Sequence, residues 1–309
     1  NPSLFVFPMV AFLGWSCAAR DCKPDANVVR TRALSESREI AASLEKVAQG
    51  TRGPINVLVL SGGGSHGAFG AGLLAGWQEK NRPQFNVVTG VSTGALLATH
   101  AFLGTPADDA VLRDVYTTVR DGDIFRKRWF FTLPFSSSIA TLEPLERLIA
   151  RVVTDETIDR VGLATTRRLL VATTNMDEGR LKIWDLSELA RVGHYDTYRQ
   201  VLLASSSVPG LYPPVELNGA LHCDGGVREQ LFLREIMLDL SQASATNVTV
   251  HVVLNGQVDV APACVQPSLL PLALRPGVLA RGPAPRLAGR GAAFSLVQRR
   301  GQPARPPVP

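Results

Sequence analysis

Residues that most catalytic and metal sites depend on are scarce in this chain. Its four cysteines, at 17, 22, 223 and 264, fall at no metal-binding spacing. No metal is therefore expected, and Cys223 reads as a small core residue. The five histidines stand at 66, 100, 194, 222 and 251, and none lies on a loop late in the chain, where a Ser-His-Asp triad would need it. His66 sits in a glycine-rich loop, His100 two turns down a helix and His251 inside a strand, so surface or core packing accounts for them. The apolar run Leu4 to Trp15 is twelve residues long and carries a proline, too short for a bilayer span. No internal repeat is present. Residues 265–309 lack Lys, Asp and Glu but hold seven Arg and nine of the 21 prolines. Without them 25 basic residues face 27 acidic ones, so the net charge of +5 belongs to this tail and gives no ground for nucleic-acid binding.

What the chain does have is glycine at strand ends. Ile55-Asn56-Val57-Leu58-Val59-Leu60 is a short, β-branched apolar run that predicts a buried parallel strand. It leads into Ser61-Gly62-Gly63-Gly64-Ser65-His66-Gly67, ahead of a helix predicted from Ala68 to Lys80. Glycines there leave backbone N–H groups unpaired and approachable, a setting that suits negative charge. A second strand, Phe85 to Thr89, runs into Gly90-Val91-Ser92-Thr93-Gly94 and a helix from Thr93 to Phe102. Gly90 and Gly94 on either side of Ser92 permit the sharp turn of a nucleophile elbow. Ser92 as a simple helix N-cap is the plain alternative; the first loop and a later acid weigh against it.

Gly62, Gly64 and Gly67 also satisfy G-x-G-x-x-G, the dinucleotide fingerprint. That use needs an acidic residue roughly 20 positions on, at the end of the second strand. Val87-Val88-Thr89-Gly90 supplies none, so no cofactor is expected. A serine hydroxyl is a weak nucleophile until a neighbour takes its proton. The base falls to Leu221-His222-Cys223-Asp224-Gly225-Gly226, a carboxylate at a predicted strand end, with Gly225 and Gly226 letting another segment come close. Alone, Asp-Gly-Gly is a common turn; beside the two loops it makes Asp224 the candidate base. An exposed Asp, with a pKa near ~4, is a poor base for a hydroxyl, so Asp224 is expected to be buried and its pKa raised.

Ser61–Gly67, Gly90–Gly94 and Asp224–Gly226 resemble, in the right order, the three motifs of the patatin-like phospholipases: a Gly-rich oxyanion loop, a G-x-S-x-G elbow and a D-G-G or D-G-A base motif. Thr173–Arg180 and Ala204–Pro214 also look like that family, and the resemblance covers about residues 53–255. It implies a lipid acyl hydrolase of phospholipase A or lysophospholipase type, working through a Ser-Asp dyad without histidine, metal or cofactor. Ser92 would attack an ester carbonyl, Asp224 would accept its proton, and N–H groups of Gly62, Gly63, Gly64 and Gly67 would form the oxyanion hole. A phospholipid or other lipid ester and the membrane surface are the implied partners. An acyltransferase on the same dyad, and a non-catalytic lipid-binding or envelope-interaction relative, are the alternative functions. Many members carry Arg where this chain has His66, so that charge is absent or pH-dependent here.

The expected fold is α/β, a mostly parallel central sheet flanked by helices, in the three-layer αβα arrangement the resemblance implies. Residues 1–19 read as a signal or lipoprotein-like segment, 20–52 as linker and amphipathic helix, 53–256 as the catalytic domain and 257–309 as a Pro/Arg-rich tail unable to order itself. The chain starts at Asn1 without Met or basic residues. Cys17 after Ser16 fits a bacterial lipoprotein signal, although Leu13 stands four before it rather than three; cleavage near Ala18-Ala19 is the alternative. An exported, envelope-located protein, lipid-anchored through Cys17 on the first alternative, follows. Ile40, Leu44 and Val47 mark the buried stripe of a helix from Leu34 to Gln49. Further helices are predicted over 108–120, 145–153 and 195–205, and strands over 168–174, 181–184 and 248–254. Ile124–Phe135 mixes three basic residues with five aromatics and reads as a segment closing the sheet, or as a lid meeting anionic lipid. The family continues with more α/β structure than is legible after residue 257, so a truncated or frame-shifted C-terminus is expected.

Overall fold

β1 (Ile55–Leu60) is buried along nearly its whole length, which is why its sequence is a continuous apolar run rather than an alternation. Even and odd positions serve different faces: Leu58 and Leu60 pack with one cluster, Val57 and Val59 with another. The computed structural model describes residues 25–119, 124, 126–127, 138–242, 247–256 and 292–298. In chain order the further elements are α1 (Ala26–Gly50), which precedes β1, then α2 (Gly67–Gln78), β2 (Val87–Gly90), α3 (Thr93–Leu103), α4 (Pro106–Thr118), β3 (Arg126–Lys127), β4 (Ala140–Thr141), α5 (Glu143–Val152) and α6 (Asp155–Gly162). They continue with β5 (Arg168–Asn175), β6 (Arg180–Asp185), α7 (Leu186–Arg191), α8 (Tyr195–Ser205), β7 (Val215–Leu217), β8 (Ala220–Asp224), α9 (Arg234–Gln242), β9 (Val248–Leu254) and β10 (Ala292–Gln298).

The main sheet runs β10-β9-β1-β2-β5-β8-β7, with β6 also paired to β5. From β10 to β5 every ladder is parallel; β6, β7 and β8 pair antiparallel. The sheet is therefore mixed, parallel through five of its eight strands, and the expected α/β arrangement of a mostly parallel sheet flanked by helices holds. β7 and β8 turn through Asn218-Gly219, both at positive φ (51° and 77°), the Asn-Gly signature of a two-residue hairpin.

Helices cover both faces. On one, Leu74, Leu97, Phe102, Ile149, Ile158 and Tyr198 pack over Leu58, Leu60, Val88 and Val171; on the other, Ile40, Leu44, Val47, Ile236 and Leu240 pack over Val57, Val59, Leu170 and Val250. The α1 stripe is the expected one, but the helix begins at Ala26, capped by the Asp25 carboxylate on the Asn27 and Val28 N–H groups, where linker was expected ahead of Leu34. Beyond Leu254, where no strand was expected, β10 extends the sheet from β9 in parallel register, with Ser295 opposite His251. The N-terminal segment with Cys17, most of Ile124–Phe135 and most of the tail lie outside the described residues. Among the described residues no helix is long and apolar enough to cross a membrane.

Candidate active site

The two chemical motifs meet because two strands share one edge of β5. Val171 pairs with Gly90 of β2 on one side and Trp184 of β6 on the other; Thr173 pairs with Asp224 of β8 and Lys182 of β6. Since β6 is continuous, β2 and β8 both lie along the opposite edge. β2 runs parallel to β5 and β8 antiparallel, so their C-terminal ends point at one another with Ala172 alone between the two registers. Ser92 follows the first end and Asp224 closes the second.

Ser92 stands at φ 55°, ψ −125°, a conformation rare outside glycine and the mark of a strained elbow. Its N–H donates to Ser205 Oγ (3.1 Å), and its carbonyl accepts from the Ala95 and Leu96 N–H groups in the first turn of α3. Gly90 and Gly94 permit this close packing: a Cβ on Gly90 would stand 2.6 Å from the Gly94 carbonyl oxygen, and one on Gly94 2.3 Å from that of Leu60. The Ser92 hydroxyl donates to Asp224 Oδ2 at 2.6 Å. Asp224 is 4% exposed, and its Oδ1 accepts the Gly226 N–H at 2.7 Å. Burial pushes its pKa up to about 6, against the lowering effect of these two hydrogen bonds. Gly225 has no room for a side chain, because a Cβ would lie 2.6 Å from the Ala172 oxygen. Cys223 is buried and unpaired, and burial pushes its thiol up to about 12.

The glycine loop crosses directly over Ser92, a Cβ on Gly62 falling 3.3 Å from the Ser92 Cβ. Two of its four expected oxyanion donors are already engaged. The Gly62 N–H donates to the Gln230 carbonyl (3.0 Å), and the Gly67 N–H is spent on the Gly64 and Ser65 carbonyls at the start of α2. Gly67 serves space instead: a Cβ there would meet Thr93 Oγ1 at 2.1 Å. Gly63 and Gly64, at φ 157° and 55°, keep N–H groups with no acceptor among the described residues. So does Thr93, the residue after Ser92 and the first of α3, a donor position the elbow motif itself predicts.

Residues distant in sequence hold this loop. Asn255, at 0% exposure beyond β9, donates its N–H to Ser61 Oγ (2.9 Å) and its Nδ2 to the Ser61 carbonyl (2.8 Å). None of the three buried histidines hydrogen-bonds to Ser92 or Asp224. His100 is buried between Asp108 and the Val152 carbonyl. His222 Nδ1 shares a 2.9 Å hydrogen bond with the Thr173 hydroxyl, which accepts from Trp184 Nε1; burial holds His222 neutral by lowering its pKa to about 4. His251 lies against the Trp77 and Phe85 rings, buried with both nitrogens unpartnered among the described residues, rather than satisfied as a core histidine should be.

Over 220 residues the chain is 26% identical to Lysophospholipase NTE1 of Yarrowia lipolytica, a match covering 69% of this chain and 14% of that protein. The chain thus spans about a seventh of that relative's length. Among solved structures, VipD from Legionella pneumophila aligns over 65% of this chain and 50% of its own, at 14% identity and a TM-score of 0.41. The sequence profile described as Patatin-like phospholipase matches residues 58–236, which is more than half of the chain and takes in the glycine loop, the elbow and the Asp-Gly-Gly turn. The chain belongs to the patatin-like phospholipase family.

Proposed function

We propose that the protein is a serine-dependent lipid acyl hydrolase, with phospholipid or lysophospholipid esters as substrates, Ser92 as nucleophile and Asp224 as base. The carrying observation is the 2.6 Å hydrogen bond from the Ser92 hydroxyl to a buried carboxylate. As Ser92 Oγ attacks the ester carbonyl carbon, its proton passes to Asp224 Oδ2. Charge developing on the carbonyl oxygen is met by the N–H groups of Gly63, Gly64 and Thr93, which have no acceptor among the described residues, and by the N-terminus of α3. Collapse of the tetrahedral species breaks the ester C–O bond; protonated Asp224 returns the proton to the leaving alcohol. Water then repeats the sequence on the acyl-serine, with Asp224 again the base. The lysophospholipase name of the Yarrowia relative supports the substrate class.

Labelling with a fluorophosphonate probe tests the nucleophile. The purified protein should label on Ser92, and Ser92→Ala should not label at all; a folded protein that stays unlabelled would sink the proposal. The base sets the pH profile. Only ionised Asp224 can take the proton, so kcat/KM on a soluble ester should fall tenfold per pH unit below an acid limb near about 6. A limb near 4 would mean that the base is exposed or is another group.

A further inference from the structure

We propose that Ser205 is a positioning residue for the Ser92–Asp224 pair, its buried hydroxyl fastening the elbow to the one β5 carbonyl left between the ends of β2 and β8. The proposal rests on the reading of Ser92 and Asp224 given above. Ser205 is the last residue of α8 and is 0% exposed. Its Oγ lies 2.7 Å from the Ala172 carbonyl oxygen and 3.1 Å from the Ser92 nitrogen. A carbonyl can only accept and an N–H can only donate, so the directions are fixed: the hydroxyl donates to Ala172 and accepts from Ser92. Ala172 pairs with neither β2 nor β8. Its carbonyl faces Gly225 on that edge, and Ser205 supplies the partner that no strand supplies.

The end of α8 holds the base as well as the nucleophile. The Asp224 N–H donates to the Ser207 carbonyl (2.9 Å), and Ser206 Oγ reaches the Ser92 carbonyl at 3.4 Å. Three successive serines therefore touch the backbone of both reacting residues. Without the Ser205 hydroxyl, a buried N–H and a buried C=O lose their partner at the point where the backbone is strained. Relaxation of the elbow carries Ser92 Oγ away from Asp224, and a displacement of about 1 Å suffices to cost roughly 10²-fold in rate.

The test compares wild type, Ser205→Ala, Ser205→Cys and Ser187→Ala on p-nitrophenyl butyrate across pH 4.5–9, with melting temperatures and fluorophosphonate labelling. Ser187 is the matched control: its buried hydroxyl accepts the Leu169 N–H (2.7 Å) on the same strand, at the end away from the elbow. Ser205→Ala should lose roughly 10²-fold in kcat with KM within about twofold. Its acid limb should move to higher pH, because Asp224 loses the Ser92 hydrogen bond that lowers its pKa. Ser205→Cys fills the same space with a weak hydrogen-bonding group and should show the same losses even if the alanine variant folds poorly. Ser187→Ala should lose stability while keeping kcat and the limb. Ser205 variants that match Ser187→Ala in kcat and limb overturn the inference and leave the nucleophile standing. A wild type that is neither labelled nor active overturns both.

Discussion

Asp224→Asn should lower kcat/KM on a soluble ester by about 10³-fold, within the range attributed to a lost general base, and should at the same time raise the melting temperature at pH 8. Both effects come from the same burial. A carboxyl whose pKa is about 6 in the folded chain and near the ordinary 3.8 in the unfolded one binds its proton more tightly when folded. Its contribution to stability is therefore complete below pH ~4 and is lost as pH rises through about 6, a difference of roughly 3 kcal/mol at 1.36 kcal/mol per pH unit. Asparagine carries no charge to desolvate. It can still accept the Gly226 N–H with its oxygen while its NH2 donates to Ser92 Oγ, but then nothing draws a proton from the serine. Melting temperatures from pH 4 to 8 should fall more steeply with pH in the wild type than in the variant, which keeps only the contributions of the other shifted groups. Equal slopes, or an active asparagine variant, would show that Asp224 is not the buried base.

Among the described glycines, Gly94 is the one where an added methyl should be most damaging. A Cβ there would lie 2.3 Å from the Leu60 oxygen, 2.7 Å from its carbonyl carbon and 2.7 Å from the Ser61 oxygen. All three are backbone atoms where β1 becomes the glycine loop, so no side chain can swing aside. Either the start of α3 lifts from the sheet or the loop shifts off Ser92. Overpacking of this kind costs about 3 kcal/mol or somewhat more, and whichever segment gives way, the close approach of the glycine loop to Ser92 is lost. The expected result is a variant with a melting temperature lower by many degrees and no detectable labelling. Gly72→Ala, at a helix position with open space around it, should change neither. A Gly94→Ala protein with wild-type melting and labelling would mean that the contact between elbow and loop is looser than described.

The parts of the site legible in the sequence are those whose geometry is local. Glycines before and after Ser92, and the Asp-Gly-Gly turn, announce themselves because a strained turn and a tight approach leave a mark within five residues. The partners that complete the site leave none. Ser205, Gln230 and Asn255 reach it through contacts more than 100 residues away in sequence; the resemblance of Ala204–Pro214 to the family marks the stretch that holds Ser205, but not which of its three serines meets the elbow. Occupancy is equally invisible: Gly62 and Gly67 have the right residue type, yet their N–H groups are spent on Gln230 and on the first turn of α2. The fold divides the same way. β1, α3, β5, α8 and β9 carry enough apolar residues to be read directly. β7 has three residues, too few to alternate, and only Asn218-Gly219 betrays its hairpin. β10 is seven residues of local pattern inside a stretch whose average composition is that of a tail.

The head-on meeting of β2 and β8 makes the separation of Ser92 and Asp224 a discrete quantity. Each residue's position is counted off along β5 in steps of about 3.4 Å, and a slip of β8 by one step also turns its side chains to the other face. No gradual drift connects the working arrangement to its neighbours: the pair is in register or it does not exist. The 132 positions separating Ser92 from Asp224 are correspondingly permissive in their loops, where added length leaves the count unchanged, and intolerant of a single insertion within β5 or β8.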